Sequence, residues 1–574
     1  MKITVVAVSA PALYQLTQFQ KDFNTTYGEH VIDLRMFYVA SAGAGLLALE
    51  DSIVEEISTA DIAVIDIMGA SESVQDFVRK GLNMCRGQRI IIGNACRDLN
   101  RLGAFSMDMM QKMKKDSSDT GDKEGPREQK PKKNATKMMH TMRRMAIMMG
   151  SIAPFGMMKD MKNLFLLIDY WQQAEREDID SFMCLLLRNY GGMKQLPKEK
   201  PCSMKYGIYL KNPETKECTE KLKAYWKKEK YESGKPLIAL LFYGHSYPND
   251  FLPVVCAVYK KLKRFANVLP IAFSQNEDKD LPKLEAYLTE NDVPVDAIVN
   301  FMPFRLGAGP MGGNADGAVE ILKRVKAPYF KPFCLTKVER EEWTRESGVN
   351  PGEFLISMML PELDGGILTY PVGIMTRTDY MESAHLDITT IEPIEERVDS
   401  LCERVYKYIE LRKKPNQEKK VVVVCYNYPP GEDNLFGGAF LDTFSSVSAL
   451  LSALKESGYC TEEMSADQLK AYFCGGACNE PKWSDSTMPE QTCRYEGELY
   501  PVNGIQKGNI FIGLQPCRVS DEQAAETSYH DKNLAPPKAY QAFYQWLRND
   551  FQADAIIHMG THGTLEFCRA RILA

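Results

Sequence analysis

The feature that most constrains the fold is the recurrence of short, continuous apolar runs, "ITVVAVSA", "DIAVIDIMGA", "LIALLFY", "ANVLPIAFS", "VVVVCY" and "NIFIGL", with helix-length amphipathic stretches between them. A run that is apolar at every position suits a strand buried on both faces, and such strands alternating with helices form parallel sheets covered on both sides. With 574 residues the chain exceeds what one hydrophobic core holds, which is on the order of 250–300 residues. The expected class is therefore α/β and multidomain, with several Rossmann- or flavodoxin-like doubly wound parallel-sheet modules.

The pattern divides the chain as follows. Residues 1–110 read as an N-terminal α/β domain. Residues 111–165 read as a Met-rich, polar insertion or linker, because 112–136 ("KMKKDSSDTGDKEGPREQKPKKNAT") has no periodic apolar positions. A mainly helical linker is expected over 166–235, a second α/β region over 236–415, and the start of a further domain over 420–574. The glycine-rich "RLGAGPMGGNADGAVEILKRV" matches neither GxGxxG nor GxxxxGK[ST], so a flexible connection is the default there. No phosphate-binding P-loop sequence occurs, so any ATP used must be bound by another subunit.

Composition removes several classes. The net charge of −6 argues against nucleic acid, which calls for a basic surplus. No apolar run approaches the ~18 residues that span a bilayer. "MKITVVAVSAPAL" has a single basic residue and reads as a first strand, and the fifteen scattered cysteines read as buried free thiols, so a cytoplasmic protein is expected. Cys474 and Cys478 in "CGGAC" lack a second pair at zinc-site spacing.

Three loops leave strands with unusual polar content: "NYPPGEDN" after "VVVVCY", "QPCRVSD" after "NIFIGL" and "HMGTHGTLEF" after "ADAII". If the strands share one parallel sheet, the loops gather at its carboxyl edge, where open α/β sheets bind ligands. In the last loop, glycines follow His558 and His562, and His562 and Glu566 lie four apart on one helical face. Two imidazoles and a carboxylate can hold a borderline divalent ion or accept protons near neutral pH. A capped helix with two hydrogen-bonded histidines and a surface glutamate is the plainer alternative.

"HMGTHGTLEF", together with "NYPPGEDNLFGGAFLDTFSSV", "GNIFIGLQP", "YHDKNLAPPKAYQAFYQWLRNDFQADAIIH" and "LPELDGG", resembles the large subunit of the cobaltochelatase and magnesium chelatase family from about residue 236 to 567. The resemblance implies a subunit that binds a tetrapyrrole and a divalent metal ion. ATP would be hydrolysed by a separate AAA+ subunit, working with an integrin-domain-type partner. His558, His562 and Glu566 would be the metal-handling and proton-accepting group. Asn427, Tyr428, Glu432, Asn434, Gln515 and His530 would line the same cavity. The motifs stand nearer to cobaltochelatases, which implies Co2+ insertion into a corrin precursor, hydrogenobyrinic acid a,c-diamide, for cobalamin synthesis. Mg2+ insertion into protoporphyrin IX and a non-catalytic tetrapyrrole-binding protein stay open.

After "GTLEF" the family continues as "LPGK", whereas this chain reads "CRARILA". A one-base deletion in suitable codons converts the first reading into the second. The expectation is a C-terminally truncated or frameshifted product, inactive alone, whose matched sequence stops at Phe567.

Overall fold

The computed structural model describes residues 1–28, 31–40, 49–93, 97–103, 148, 156–202, 206–215, 217–244, 250–273, 280–309, 312–345, 348–381, 386–426, 436, 440–474, 491–516 and 535–560. The polar segment 112–136 and the "CRARILA" tail lie outside them. The chain forms two compact units, Met1–Val405 and Tyr406–Ala574.

The first unit opens with strands β1 (Lys2–Ala7), β2 (Asp33–Tyr38), β3 (Ile62–Asp66) and β4 (Gln88–Gly93), interleaved with helices α1 (Ala10–Tyr27), α2 (Glu50–Ser58) and α3 (Glu72–Met84). All pairings are parallel, in the order β2-β1-β3-β4. Strand alternation sends Ile3, Val5, Val64 and Ile90 to one face, and Val6, Ala63, Ile65 and Ile91 to the other, where α2 and α3 cover them. The chain turns into α1 at Ser9, whose hydroxyl accepts from the Ala12 amide, with a proline in the first turn.

Two further helices, α4 (Gly156–Gln173) and α5 (Arg176–Tyr190), complete the first face. Leu167, Trp171, Phe182 and Leu186 join the same core as Leu13, Leu16 and Phe19 of α1. Each large side chain so buried stabilises by about 2–3 kcal/mol. The region read as a helical linker thus serves partly as the missing cover of the first sheet. A buried polar tie fixes it, since Trp171 Nε1 donates to Asp66 Oδ2 at 2.8 Å, both residues being fully enclosed.

The second sheet of this unit has eight strands: β5 (Gly207–Tyr209), β6 (Cys218–Thr219), β7 (Leu237–Phe242), β8 (Asn267–Ala272), β9 (Ala297–Asn300), β10 (Tyr329–Leu335), β11 (Leu368–Met381) and β12 (Leu386–Pro393). Their order is β12-β11-β10-β9-β7-β8-β5-β6. The five strands from β7 to β11 run parallel, and antiparallel strands close both edges. Helices α6 (Leu252–Leu262), α7 (Asp280–Thr289) and α8 (Ala315–Val325) follow β7, β8 and β9 in turn. The glycine-rich segment, expected as a flexible connection, pairs Ala308–Gly309 with Gly312–Gly313 and ends at Asn314, whose side chain accepts from the Gly317 amide to start α8.

The division between the units falls within α9 (Glu395–Lys413). In the second unit, β13 (Val421–Cys425) is central. It pairs in parallel with β17 (Ile510–Leu514) and β18 (Ala555–Met559), and β16 (Gly504–Lys507) adds antiparallel to β17. Four consecutive valines suit this place, because every residue of β13 is buried. One face packs against α10 (Thr443–Glu456) and α11 (Ala466–Cys474), the other against α12 (Lys538–Asn549) and the hairpin of β14 (Thr492–Tyr495) and β15 (Glu498–Pro501). Gly513 is small for a reason: an added Cβ would lie 2.7 Å from Phe511 Cε1 and 3.2 Å from Phe543 Cζ.

Among the described residues no helix is long and apolar enough to cross a membrane. The described cysteines are all free, Cys474 among them and exposed; Cys478 is outside the described residues.

Candidate functional site

The strands that precede the three polar loops end at one edge; most of the loop residues lie outside the described residues. Cys425 stands beside Leu514 and Met559 in the register, so the carboxyl ends of β13, β17 and β18 open on the same rim. The backbone continues the ladder one step beyond the strands, with the Gln515 amide donating to the Cys425 carbonyl at 3.0 Å. At the end of β18 the chain passes so close to Tyr426 that a Cβ on Gly560 would lie 2.9 Å from the Tyr426 Cβ. A side chain there would push the last strand off its neighbour, which gives the glycine after His558 a structural reason.

Gln515 is 3% exposed, so its amide needs partners inside the protein. Its Nε2 donates to the hydroxyls of Tyr540, at 3.2 Å, and Tyr544. Both tyrosines come from α12, four residues apart and hence one above the other on the helix face. Tyr544 then reaches outward: its hydroxyl lies 3.5 Å from His558 Nε2, and the two rings are nearly parallel at 17°, with centroids 6.1 Å apart. A chain of polar groups thus runs from the buried Gln515 to His558 at the rim.

His558 sits in register with Val424 on the face that α12 covers. Its outer edge is exposed, yet the loss of water on the covered side holds its pKa below the usual 6.5. The imidazole is therefore neutral at pH 7, with a lone pair available to a proton or to a metal ion. The tautomer sets the direction of the Tyr544 contact: with Nε2–H donating to the hydroxyl oxygen, the lone pair stays on Nδ1.

Of the nine residues expected to form the site, the structure describes two, His558 and Gln515, and joins them through Tyr544. His562 and Glu566, and likewise Asn427, Tyr428, Glu432, Asn434 and His530, lie outside the described residues. Among the described residues no group of three or more His, Cys, Asp and Glu side chains stands ready to hold a metal ion. Tyr540 and Tyr544 went unread in the sequence. Their only signal was the i, i+4 spacing in "KAYQAFYQWL", which an ordinary core-facing helix shows equally.

Comparison with known proteins gives the family. The family described as CobN/Magnesium Chelatase matches residues 168–499 and 480–574. The aerobic cobaltochelatase subunit CobN of Pseudomonas aeruginosa is 29% identical over 385 residues, which make up 60% of this chain and 30% of that protein. A magnesium-chelatase subunit from Chlorobaculum parvum is 27% identical over 448 residues, covering 71% of this chain and 34% of the relative. The chain thus spans about a third of the length of the curated relatives it matches. Among solved structures, the catalytic subunit of cobaltochelatase from Mycobacterium tuberculosis superposes with a TM-score of 0.51 at 17% identity, over 98% of this chain and 43% of that one. That likeness concerns the fold, whereas the family match extends over more than half the sequence and takes in the rim that carries His558 and Gln515: the chain belongs to the CobN/magnesium chelatase family.

Proposed function

We propose that this chain is the tetrapyrrole- and metal-binding part of an ATP-dependent chelatase, and that it serves insertion of Co2+ into a corrin precursor such as hydrogenobyrinic acid a,c-diamide. The observation that carries the reading is the neutral imidazole of His558 at the carboxyl rim of a parallel sheet, inside the segment that matches the family. Metal insertion needs two things from such a rim. The ion must lose water, and the two pyrrole N–H groups must lose their protons.

His558 is suited to either task, as an exchangeable nitrogen ligand or as a proton acceptor. His562 and Glu566 would complete the group, the carboxylate exchanging for metal-bound water. Tyr544 orients His558, and the buried Gln515 anchors Tyr544 through a partly buried bond. Asn427, Tyr428, Glu432, Asn434 and His530 are proposed to line the macrocycle's cavity. The chain carries no P-loop sequence, which supports ATP hydrolysis by an AAA+ partner, assisted by an integrin-domain-type subunit. Donor type alone does not separate Co2+ from Mg2+, since a carboxylate serves both and supply weighs more than affinity order. The motif likeness favours cobalt.

The test combines the purified chain with its ATPase partners and follows the visible spectra of hydrogenobyrinic acid a,c-diamide and protoporphyrin IX with Co2+ and Mg2+. A metallated corrin spectrum that needs ATP supports the proposal, and Glu566→Gln should abolish it while macrocycle binding persists. Binding without metallation in the presence of all partners would assign a binding protein instead, and metallation of protoporphyrin by Mg2+ alone would exclude the cobalt reading.

A further inference from the structure

The first unit holds a cleft of about 460 Å³ that the chelatase reading does not use. It opens at the carboxyl ends of β7, β9 and β10, where the strand order reverses: from β7 the chain moves to β8 on one side, while β9 lies on the other side of β7 and leads on to β10. The loops after β7 and β9 therefore part in opposite directions, and a crevice at such a reversal is where open α/β sheets bind ligands. One wall is held in an uncommon backbone conformation. Phe304 stands in the left-handed region at φ 62°, its amide donating to the Ile356 carbonyl at 2.8 Å, and Asp364 fixes the next two residues by taking the Arg305 guanidinium and the Leu306 amide. Ile356 belongs to Leu355–Met359, a π-helical turn, a form found mostly at functional sites.

The lining is mostly aromatic and aliphatic with a few polar groups, the composition of a small-molecule site, and its charges are sorted by place. Tyr209 of β5 and Phe242 of β7 meet edge to face, their centroids 5.2 Å apart. Burial first, and then the charges of neighbouring groups, Glu175 and Asp250 among them, keep the Tyr209 hydroxyl neutral, so both carboxylates stand at this aromatic end. Glu175, Asp250, Tyr243 and Phe251 all line the cleft and keep part of their surface open, within reach of a molecule inside it. Asp250 Oδ1 accepts from the Leu252 amide at 2.9 Å, and a carboxylate has room for further partners. The lysines stand elsewhere. Lys331 and Lys337 belong to β10 and the loop after it, two strand spacings from β7, about 10 Å. The carboxylates that act on them are Asp364 and Glu353, and their amines donate to the carbonyls of Met302 and Ala40. Glu353, the remaining acid of the lining, is 4% exposed and taken by Thr336. Among the described residues, the end around Tyr209 thus carries two negative charges and no positive one.

We propose that this end of the cleft is a second ligand site, one that takes an organic cation, a quaternary ammonium or alkylated amine on an apolar body. The positive group lies among the rings of Phe242, Tyr243 and Phe251 with Glu175 and Asp250 beside it, and the body fills the space toward Phe301 and Phe333. Ring faces attract a cation most strongly where water is excluded, and nearby carboxylates add to the attraction. An anion placed there meets two like charges. The site lies wholly in the first unit, so its test does not depend on metallation.

Benzyltrimethylammonium and benzyldimethylamine N-oxide serve as probes, the second of the same shape but without net charge, with binding to the full chain followed by saturation-transfer NMR and calorimetry. The cation should bind saturably at sub-millimolar concentration, and the N-oxide about tenfold or more weaker. Asp250→Asn keeps an oxygen for the Leu252 amide while removing the charge. Combined with Glu175→Gln, it should weaken the cation about tenfold and leave the N-oxide unchanged. Absence of saturable cation binding, equal binding of the two probes, or an unchanged cation affinity in the double variant would each overturn the proposal. Should that variant fail to fold, the comparison of the two probes on the unaltered chain decides.

Discussion

Lys331 lies in the middle of β10, 2% exposed, and Lys331→Met is the most quantitative test of how the first unit is built. The amine donates to the Met302 carbonyl and has no ion-pair partner among the described residues. The nearest counter-charge, Asp364, is occupied by Arg305 at 2.7 Å and by the Leu306 amide at 2.8 Å. Burial lowers the lysine pKa from 10.5 to about 7, with Asp364 pulling only weakly the other way. For a base whose folded pKa is depressed, the unfolded chain binds a proton that the folded chain does not between these two values. Stability therefore rises with pH through that window, is complete above 10.5, and is lost as pH falls toward 7. Integrating this linkage, the deprotonation costs the folded state about 4 kcal/mol at pH 7 and about 2 kcal/mol at pH 9.

Methionine has a similar length and no proton to lose. It gives up the bond to Met302, a loss that does not change with pH. The stability of Lys331→Met relative to the unaltered chain should consequently fall by about 2 kcal/mol between pH 7 and pH 9. Urea-dependent labelling of Cys334, buried in the same strand, reports opening of this sheet without requiring the whole chain to unfold in one step. A difference between the two proteins that stays constant over this pH range would mean that the folded chain keeps an ordinary ammonium at Lys331, and the argument from burial would fail.

Four other outcomes follow from the packing and the rim. Trp171→Phe removes the donor to buried Asp66 and should cost about 2–4 kcal/mol, read by thermal unfolding of the first unit. Gly513→Ala forces a Cβ to within 2.7 Å of Phe511 and should destabilise the second unit by about 1–3 kcal/mol in the same assay. The His558 ring should titrate below 6.5 in an NMR series, and Tyr544→Ala, which rehydrates it, should raise that pKa. Tyr544→Phe keeps the ring face but loses the hydroxyl between Gln515 and His558, and should lower metallation about tenfold with little change in macrocycle binding.

The parallel strands were legible in the sequence because strands buried on both faces must be apolar throughout, as "LIALLF" and "VVVVC" are. What escaped notice was short or at an edge. Gly207–Tyr209 and Gly504–Lys507 are brief strands paired on few residues, and their composition does not set them apart from loops. Helices α4 and α5 read as linker because the neighbouring polar and Met-rich stretch hid the apolar stripe that caps the first sheet. The rim followed from strand ends, which placed His558 on it, whereas Gln515 was named only through the family resemblance; Tyr540 and Tyr544 were not legible, since a tyrosine pair on a helix face signals packing as readily as chemistry. Lys331 and the enclosed carboxylate of Glu353 could not be foreseen, because only tertiary structure strips a lysine or a glutamate of water.

The central claim is that the rim of the second unit handles a divalent ion for insertion into a tetrapyrrole. Its most direct test is to titrate Co2+ into the full chain while the ring-proton resonances of its seven histidines are followed. Selective paramagnetic broadening of His558, abolished by Glu566→Gln together with His562→Ala, is the predicted result. Broadening spread evenly over all the histidines, or concentrated on others while His558 stays sharp, would contradict the account.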